Sequence, residues 1–444
     1  MAVKIFHEIR DPIHVFIKLD SQEREVVDSR PFQRLRHIHQ LGMTYLVYPG
    51  ATHKRFEHSL GVMELAGKVY DIVTNKIVYP EVMELLPQLK HHDQKNYWRR
   101  VVRMAALCHD LGHLPFSHAA EKELLPEGWN HEHLTKEIIL KSELKNIWGK
   151  QKPPLIPEDI IKIALGPKEL PEEEFSTWER ILAEIITGDV FGVDRIDYLL
   201  RDSHHCGVAY GKFDHHRLID TLCILPVFSE NGKILDVALG IEEGGLQAAE
   251  ALLLARYFMY TQVYFHPIRR IYDIHLRDFL VEWLEEGRFS IDIEKHLSLT
   301  DNEITSAMLK AAYDPKAKGH IHAERIIKRQ HFKLLYQFTP EDARVNPNAV
   351  EAIYKEAVKE FGKDHLRYDK VPYKSGKFLD FPVLLKDERV ASAFEVSPVL
   401  ANLPAFSLEY VFADRSLYDK AEKWLKDNRK RIIENITETE ENDE

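Results

Sequence analysis

The sequence predicts a mainly α-helical fold with small β hairpins, a large helical core over residues 1–338 and a smaller α+β lobe over residues 339–436. Three observations carry that expectation. Apolar residues recur at helical spacing through most of the chain, the mark of helices with one buried face. Strand signals are few and short. After about Thr339 the texture changes, and short apolar segments alternate with an irregular Lys-, Tyr- and Gly-rich stretch, Tyr368 to Pro382.

Taken in order, Val3 to Asp20 alternates apolar and polar residues around Asp11-Pro12, which predicts two short strands joined by a Pro turn. From Ser21 the spacing is helical, first in Phe32, Leu35, Ile38 and Leu41, then in Val62, Leu65, Ala66, Val69, Ile72 and Val73 after His58. Helices are also expected over Asn96–Cys108, His133–Ile147, Ile181–Val190, Gly245–Tyr264 and Arg270–Glu286. Cys223–Phe228 and Ile234–Leu239 flank an Asn231-Gly232 turn, a hairpin signal. Asn346-Pro347-Asn348 opens a helix to Phe361, Val383–Leu385 and Leu408–Ala413 are short apolar segments, and Ser416–Ile433 is a last helix. Residues 437–444 form an acidic tail that is expected to be disordered. No internal repeat is visible.

Composition narrows the function. With 44% hydrophobic and 30% charged residues the 444-residue chain reads as an ordinary globular protein. No run approaches a membrane span and the first dozen residues lack a signal-peptide core, so a cytoplasmic protein is expected. The three cysteines, Cys108, Cys206 and Cys223, form no paired framework and fit a reducing compartment. A net charge of −11 argues against nucleic acid as the main partner, while leaving room for a local basic pocket around one small phosphorylated ligand.

The chemistry concentrates in Leu107-Cys108-His109-Asp110-Leu111-Gly112-His113-Leu114-Pro115-Phe116-Ser117-His118, where an adjacent His-Asp pair ends an apolar helical run and two more histidines follow. An imidazole and a carboxylate together suit an octahedral divalent first-row ion. Further ligands must come from elsewhere. Arg55-Phe56-Glu57-His58-Ser59-Leu60-Gly61 puts His58 at the start of a helix, and Asp194 and Asp197 lie three apart, near one face of another. Each also has a structural reading: His58 as a capped core histidine, Asp194 as a helix N-cap, Asp197 as an ion-pair partner of Arg195 or Arg201, and Cys108 as a small buried neighbour.

Together, the order His58, His109-Asp110, Asp194 resembles the signature of the HD phosphohydrolases. The flanking Phe32-Gln33-Arg34-Leu35-Arg36, His39-Gln40-Leu41-Gly42, Tyr48-Pro49-Gly50-Ala51, Trp129-Asn130-His131-Glu132 and Asp194 to Asp202 are similar to the deoxynucleoside triphosphate triphosphohydrolases, in the branch of the mammalian SAM-and-HD-domain enzymes and their bacterial homologues, here without a SAM domain. The similarity runs from about Asp11 to Tyr264 and more faintly to Lys333. It implies an HD-type helical core and hydrolysis of dGTP and other dNTPs to deoxynucleoside and triphosphate, by water attack on the α-phosphorus. The implied ligands of one Fe, Mn or Zn ion are His58, His109, Asp110 and Asp194, with Mg on the triphosphate. His131 with Glu121 is the implied proton donor, Glu132 an orienter, and His113 and His118 lie by the α-phosphate. Arg55, Arg195 and Arg256 are implied phosphate contacts, Gln40, Tyr198 and Asp202 sugar contacts, and Leu41 and Tyr264 would crowd a 2′-hydroxyl.

The resemblance further implies a homo-oligomer, dimer or tetramer, and a guanine-nucleotide activator read by Asp28, Gln33 and Arg36, with Arg217, Arg329 and Lys333 near it. Here the pattern departs. Glu242 and Gly244 stand where a basic pair is expected, Pro267 replaces a lysine, Phe265 replaces a base-contacting glutamine, and Glu121 replaces an aspartate. Altered activation is therefore expected. Two other readings stay open: an HD phosphohydrolase acting on a nucleoside monophosphate or cyclic nucleotide, and a nucleotide-sensing regulator.

Overall fold

A computed structural model describes residues 6–77, 79–117, 121–229, 231–372, 380–403 and 407–434. The acidic tail and His118 lie outside them. Helices dominate and the strands are few and short, as the sequence predicts. Among the described residues no helix is long and apolar enough to cross a membrane. They gather into two compact units, one of residues 6–261, 288–304 and 380–403, the other of residues 262–287, 305–372 and 407–434.

The first unit is built around the Arg55–Asn75 helix, which is buried along most of its circumference and packs against His92–Cys108 and Val193–Cys206. Its apolar residues, from Phe56 and Leu60 through Val73, are too many for one stripe, so it can only be an interior helix. The His92–Cys108 helix is solvated at its start and wholly buried over its last eight residues, so it delivers His109 and Asp110 into the interior at its end. Phe6–Asp11 and Val15–Asp20 pair antiparallel and bury Ile17 and Leu19. Leu222–Phe228, Ile234–Glu242, Pro382–Leu384 and Val390–Ser392 form a four-stranded sheet in that order, the central pair parallel.

Several predicted helices have different ends, each with a local cause. The helix expected over His133–Ile147 is two, His131–Lys141 and Leu144–Lys150, broken where Ser142 leaves helical geometry. The helix expected to reach Val190 stops at Thr187 because Gly188 turns extended, and it begins at Thr177 on a Ser176–Glu179 capping box. Gly245–Tyr264 is α-helical over Leu246–Met259 and π-helical over Tyr260–Tyr264.

In the second unit Ser407–Ala413 is the centre of an antiparallel sheet between Lys333–Gln337 and Leu366–Pro372. Val411 and Ala413 face a core formed with the Ala349–Phe361 and Tyr418–Glu434 helices, while Tyr410 and Phe412 face Ile271, Ile274 and Phe332. Both faces are covered, which is why its second half, Tyr410 to Ala413, is continuously apolar. Leu366–Pro372 corrects the irregular stretch expected from Tyr368: its polar residues pair along a ladder edge.

Candidate metal centre and proton relay

His109 closes its helix, and its Nδ1–H donates to the Ala106 carbonyl at 2.7 Å. That bond fixes the tautomer and turns Nε2 inward, where it is buried with no hydrogen-bond partner. His58, in the first turn of its helix, donates from Nδ1 to Asp197 Oδ2 at 2.8 Å and points Nε2 to within 3.0 Å of Asp194 Oδ1. Asp194 Oδ1 lies 3.5 Å from His109 Nε2. The ligand atoms of His58, His109 and Asp194 all fall within 4.8 Å of one another. Asp110 stands beside them, Oδ1 3.3 Å from His109 Nε2 and Oδ2 3.7 Å from His58 Nε2, with Oδ2 also accepting from Arg55 Nη1 at 2.5 Å.

The carboxylates around the two histidines favour positive charge there. Burial by itself would lower the His58 pKa, but the Asp194 and Asp197 carboxylates push it up to about 10. Burial would raise Asp110, yet Arg55, His109 and His113 hold it well below the usual carboxylate range, and His109 and His58 lower Asp194 likewise. An orphaned imidazole nitrogen amid carboxylates fits a divalent ion with mixed N and O donors. Cys108 does not belong to the group: it is fully buried, and burial pushes its thiol pKa up.

Asp194 and Asp197, which the sequence leaves as alternatives, part company in three dimensions. The N-cap of the Val193–Cys206 helix is Gly192, and Asp194 faces the two histidines. Asp197, fully buried, accepts from His14 Nε2 (2.6 Å), His58 Nδ1, and Arg201 Nε and Nη2 (2.8 and 2.9 Å). Arg201 continues to Asp11 at 2.8 Å. A Cβ at Gly61 would collide with the Asp197–Arg201 pair, so only glycine lets the helices approach here. Asp11, His14 and Arg201 carry no signal in the sequence beyond the Pro turn and the Asp197–Arg201 spacing of four.

Beside the centre lies a row of titratable groups. Asn130 caps the His131–Lys141 helix, and His131 donates from both its backbone N and Nδ1 to Glu121 Oε1, each at 2.6 Å. Glu132 Oε2 lies 3.1 Å from the same Nδ1. The His131 ring stacks on His113 at 3.9 Å, and His113 Nε2 is 3.2 Å from Asp110 Oδ1. Burial lowers the His131 pKa, but Glu121, Glu132 and Asp110 outweigh it and the net shift is upward. Burial, Arg55 and His131 drive His113 far below the ordinary imidazole value, so it is neutral. Burial pushes Glu132 up.

The other sequence candidates stand in different surroundings. Arg55 is buried and bonds Ser117 Oγ through Nε at 2.9 Å. Gln40 is buried with Oε1 unpartnered, next to half-buried Leu41, and Asp202 accepts from His53 Nε2 at 2.7 Å. Tyr198 lies one turn beyond Asp194. Arg195 and Arg256 converge on one loop: Arg195 Nη2 is 3.2 Å from Asp189 Oδ1, and Arg256 Nη1 donates to the Asp189 carbonyl at 2.9 Å. Tyr264 belongs to the second unit. Asp28 caps its helix beside Arg24, while Gln33 links the Val27 carbonyl (2.7 Å) to Arg36 (2.9 Å), whose guanidinium lies 3.5 Å over Phe56. Arg217 donates to the Gly244 carbonyl at 3.0 Å and Glu242 pairs with Lys76 at 2.7 Å, so Gly244 and Glu242 both have local partners. In the second unit Arg329 accepts at its carbonyl from Arg415, and Lys333 lies over Tyr418 at 4.5 Å.

Comparison with known proteins gives this geometry a context. Residues 55–202 match the HD domain and residues 213–400 the HD associated region. The chain is 33% identical over 405 residues to the uncharacterized protein MJ1154 of Methanocaldococcus jannaschii, covering 89% of this chain and 75% of that one. It is 33% identical over 272 residues to the uncharacterized protein YwfO of Bacillus subtilis, covering 61% of this chain and 54% of that one. It is 32% identical over 369 residues to the human deoxynucleoside triphosphate triphosphohydrolase SAMHD1, covering 75% of this chain and 55% of that one. The chain thus spans about half the length of the last two. A crystal structure of a hypothetical protein from Aquifex aeolicus superposes with a TM-score of 0.75 at 34% identity, covering 95% of this chain and all of that one.

Proposed function

This chain belongs to the HD-domain family with an HD associated region, and from that premise we propose that it is a metal-dependent triphosphohydrolase releasing triphosphate from dNTPs, dGTP among them. One observation carries the proposal: the unpartnered His109 Nε2, His58 Nε2 and Asp194 converge on one point, with the His131–Glu121 pair next to it through His113 and Asp110. The likeness to proteins called deoxynucleoside triphosphate triphosphohydrolases supports the substrate class.

In this reading His58, His109, Asp110 and Asp194 hold a divalent ion, Fe, Mn or Zn, and a Mg ion accompanies the triphosphate. A bound ion of this kind lowers the pKa of water and polarises a phosphoryl oxygen. The remaining work belongs to the side chains. Asp197 keeps His58 in the tautomer that offers Nε2, as carboxylates behind ligating histidines commonly do. Arg55 meets phosphate charge with a planar fork suited to two oxygens, and Arg195 and Arg256 would leave Asp189 to join it. His131, its Nδ1–H held by Glu121, gives its Nε2 proton to the departing 5′ oxygen, a poor leaving group without it. Neutral His113 donates without adding charge, and Glu132 steadies His131. Gln40, Tyr198 and Asp202 orient the sugar, with Leu41 disfavouring a 2′-hydroxyl.

The proposal extends to a homo-oligomer whose guanine-nucleotide activation, through Asp28, Gln33, Arg36 and Arg217, is altered because Glu242 and Gly244 provide no cations. Incubating the chain with each of four dNTPs and four NTPs in Mn²⁺ or Mg²⁺, with Asp110→Ala as control, tests the central claim. Triphosphate with deoxynucleoside is expected. Release of single phosphates, or turnover only of monophosphates or cyclic nucleotides, would move the chain to another HD phosphohydrolase class. Nucleotide binding without turnover under any metal would make it a sensor.

A further inference from the structure

We propose that Asp301 is a positioning residue for this site, clamping the loop that carries Gln40 to the loop that follows His113 and so setting the orientation of Arg55. The proposal rests on the triphosphohydrolase reading for its kinetic readout alone. Asp301 is only 1% exposed and begins the Asp301–Ala311 helix. Its Oδ2 accepts from the backbone N of His39 (2.7 Å) and from His39 Nδ1 (2.6 Å), and its Oδ1 accepts from the backbone N of Phe116 (2.7 Å). Three donors from two loops thus converge on one carboxylate.

The loop it holds would not keep this shape unaided. Phe116 and Ser117 are consecutive non-glycine residues in the left-handed region, with φ of 56° and 58°, a conformation that persists only where the surroundings impose it. The other loop presses against them: Gly42 has φ +50°, and a Cβ there would sit 2.8 Å from the Phe116 carbonyl oxygen. The His39 and Phe116 rings lie parallel, 9° apart in plane. From this clamp a short path leads to the centre. Ser117 Oγ donates to the His39 carbonyl (2.9 Å) and accepts from Arg55 Nε (2.9 Å), whose Nη1 reaches Asp110. The same face is braced from behind by Arg34, which spans the carbonyls of His113 (2.9 Å) and Leu299 (3.1 Å).

A carboxylate is needed because all three partners donate. Asn would present its NH₂ either to Phe116 or to His39, setting donor against donor. In Asp301→Asn, amide exchange at Phe116 and His39 is expected to speed up about tenfold, the scale of one lost charged hydrogen bond, while the Lys333–Gln337 strand keeps its protection. The KM for dNTP should rise about fivefold or more as Arg55 loses its register, with metal content per chain unchanged. Ser117→Ala should reproduce part of the KM effect, and the double variant should be no worse than Asp301→Asn, since both interrupt one path. Unchanged exchange at Phe116 and His39 overturns the clamp. A fall in kcat at constant KM, matching a loss of folded protein, or additive effects in the double variant, overturns the positioning role. If the unaltered chain turns over no nucleotide, the functional reading fails and the exchange measurement decides the clamp alone.

Discussion

Asp197→Asn separates holding a metal ligand from holding the fold. The carboxylate receives four charge-assisted hydrogen bonds, from His14, His58 and twice from Arg201, in a fully buried position. The amide keeps the volume but must turn an NH₂ toward at least one donor, and the charge facing Arg201 falls to Asp11 alone. Breaking a buried pair costs about 3–5 kcal/mol, and because Arg201 keeps Asp11, a loss of about 3 kcal/mol is expected in the metal-free protein. Independently, His58 loses the acceptor that fixes its tautomer, which should weaken metal binding by about 10–100-fold, or about 1.4–2.7 kcal/mol. Equilibrium dialysis against Mn²⁺ with elemental analysis measures the second effect, and thermal unfolding of chelated protein measures the first. If the melt falls but affinity stays within about twofold, Asp197 is a fold anchor only, and the orienting role is refuted.

The remaining predictions share this logic. His109→Ala should abolish stoichiometric metal while Cys108→Ala leaves metal content unchanged, since the thiol is buried outside the ligand group; elemental analysis of both distinguishes ligand from neighbour. His131→Ala should lower kcat by about 10²–10⁴ at little cost in KM, read by steady-state kinetics with the best dNTP. Because Glu121 raises the His131 pKa, the acid form survives to higher pH; Glu121→Gln should move the alkaline limb of kcat to lower pH, and an unmoved limb would show that His131 is not the acid. Glu23→Ala, which removes the carboxylate bonded at 2.5 and 3.0 Å to buried Arg103 and leaves it the Lys18 carbonyl and Glu64 at 3.9 Å, should cost about 3 kcal/mol in chemical denaturation without altering metal content.

The helical character, the hairpins and the identity of the ligand candidates were readable in the sequence because each is local. Helical periodicity, a Pro or Asn-Gly turn, and a His-Asp pair at the end of an apolar run are all written within a dozen residues. What the sequence by itself determined, then, is which side chains could do the chemistry. Only the tertiary structure decided what each of them touches, because tautomer, partner and orientation depend on groups far away in the chain. His58 and His109 are indistinguishable as letters, yet one is fixed by Asp197 and the other by the Ala106 carbonyl. Asp194 and Asp197 differ by less than one helical turn, and that rotation points one at the histidines and the other into a buried cluster with His14, Arg201 and Asp11. Asp301 leaves no trace in any motif, since its donors lie 262 and 185 residues away and meet it only when two loops fold onto the start of its helix.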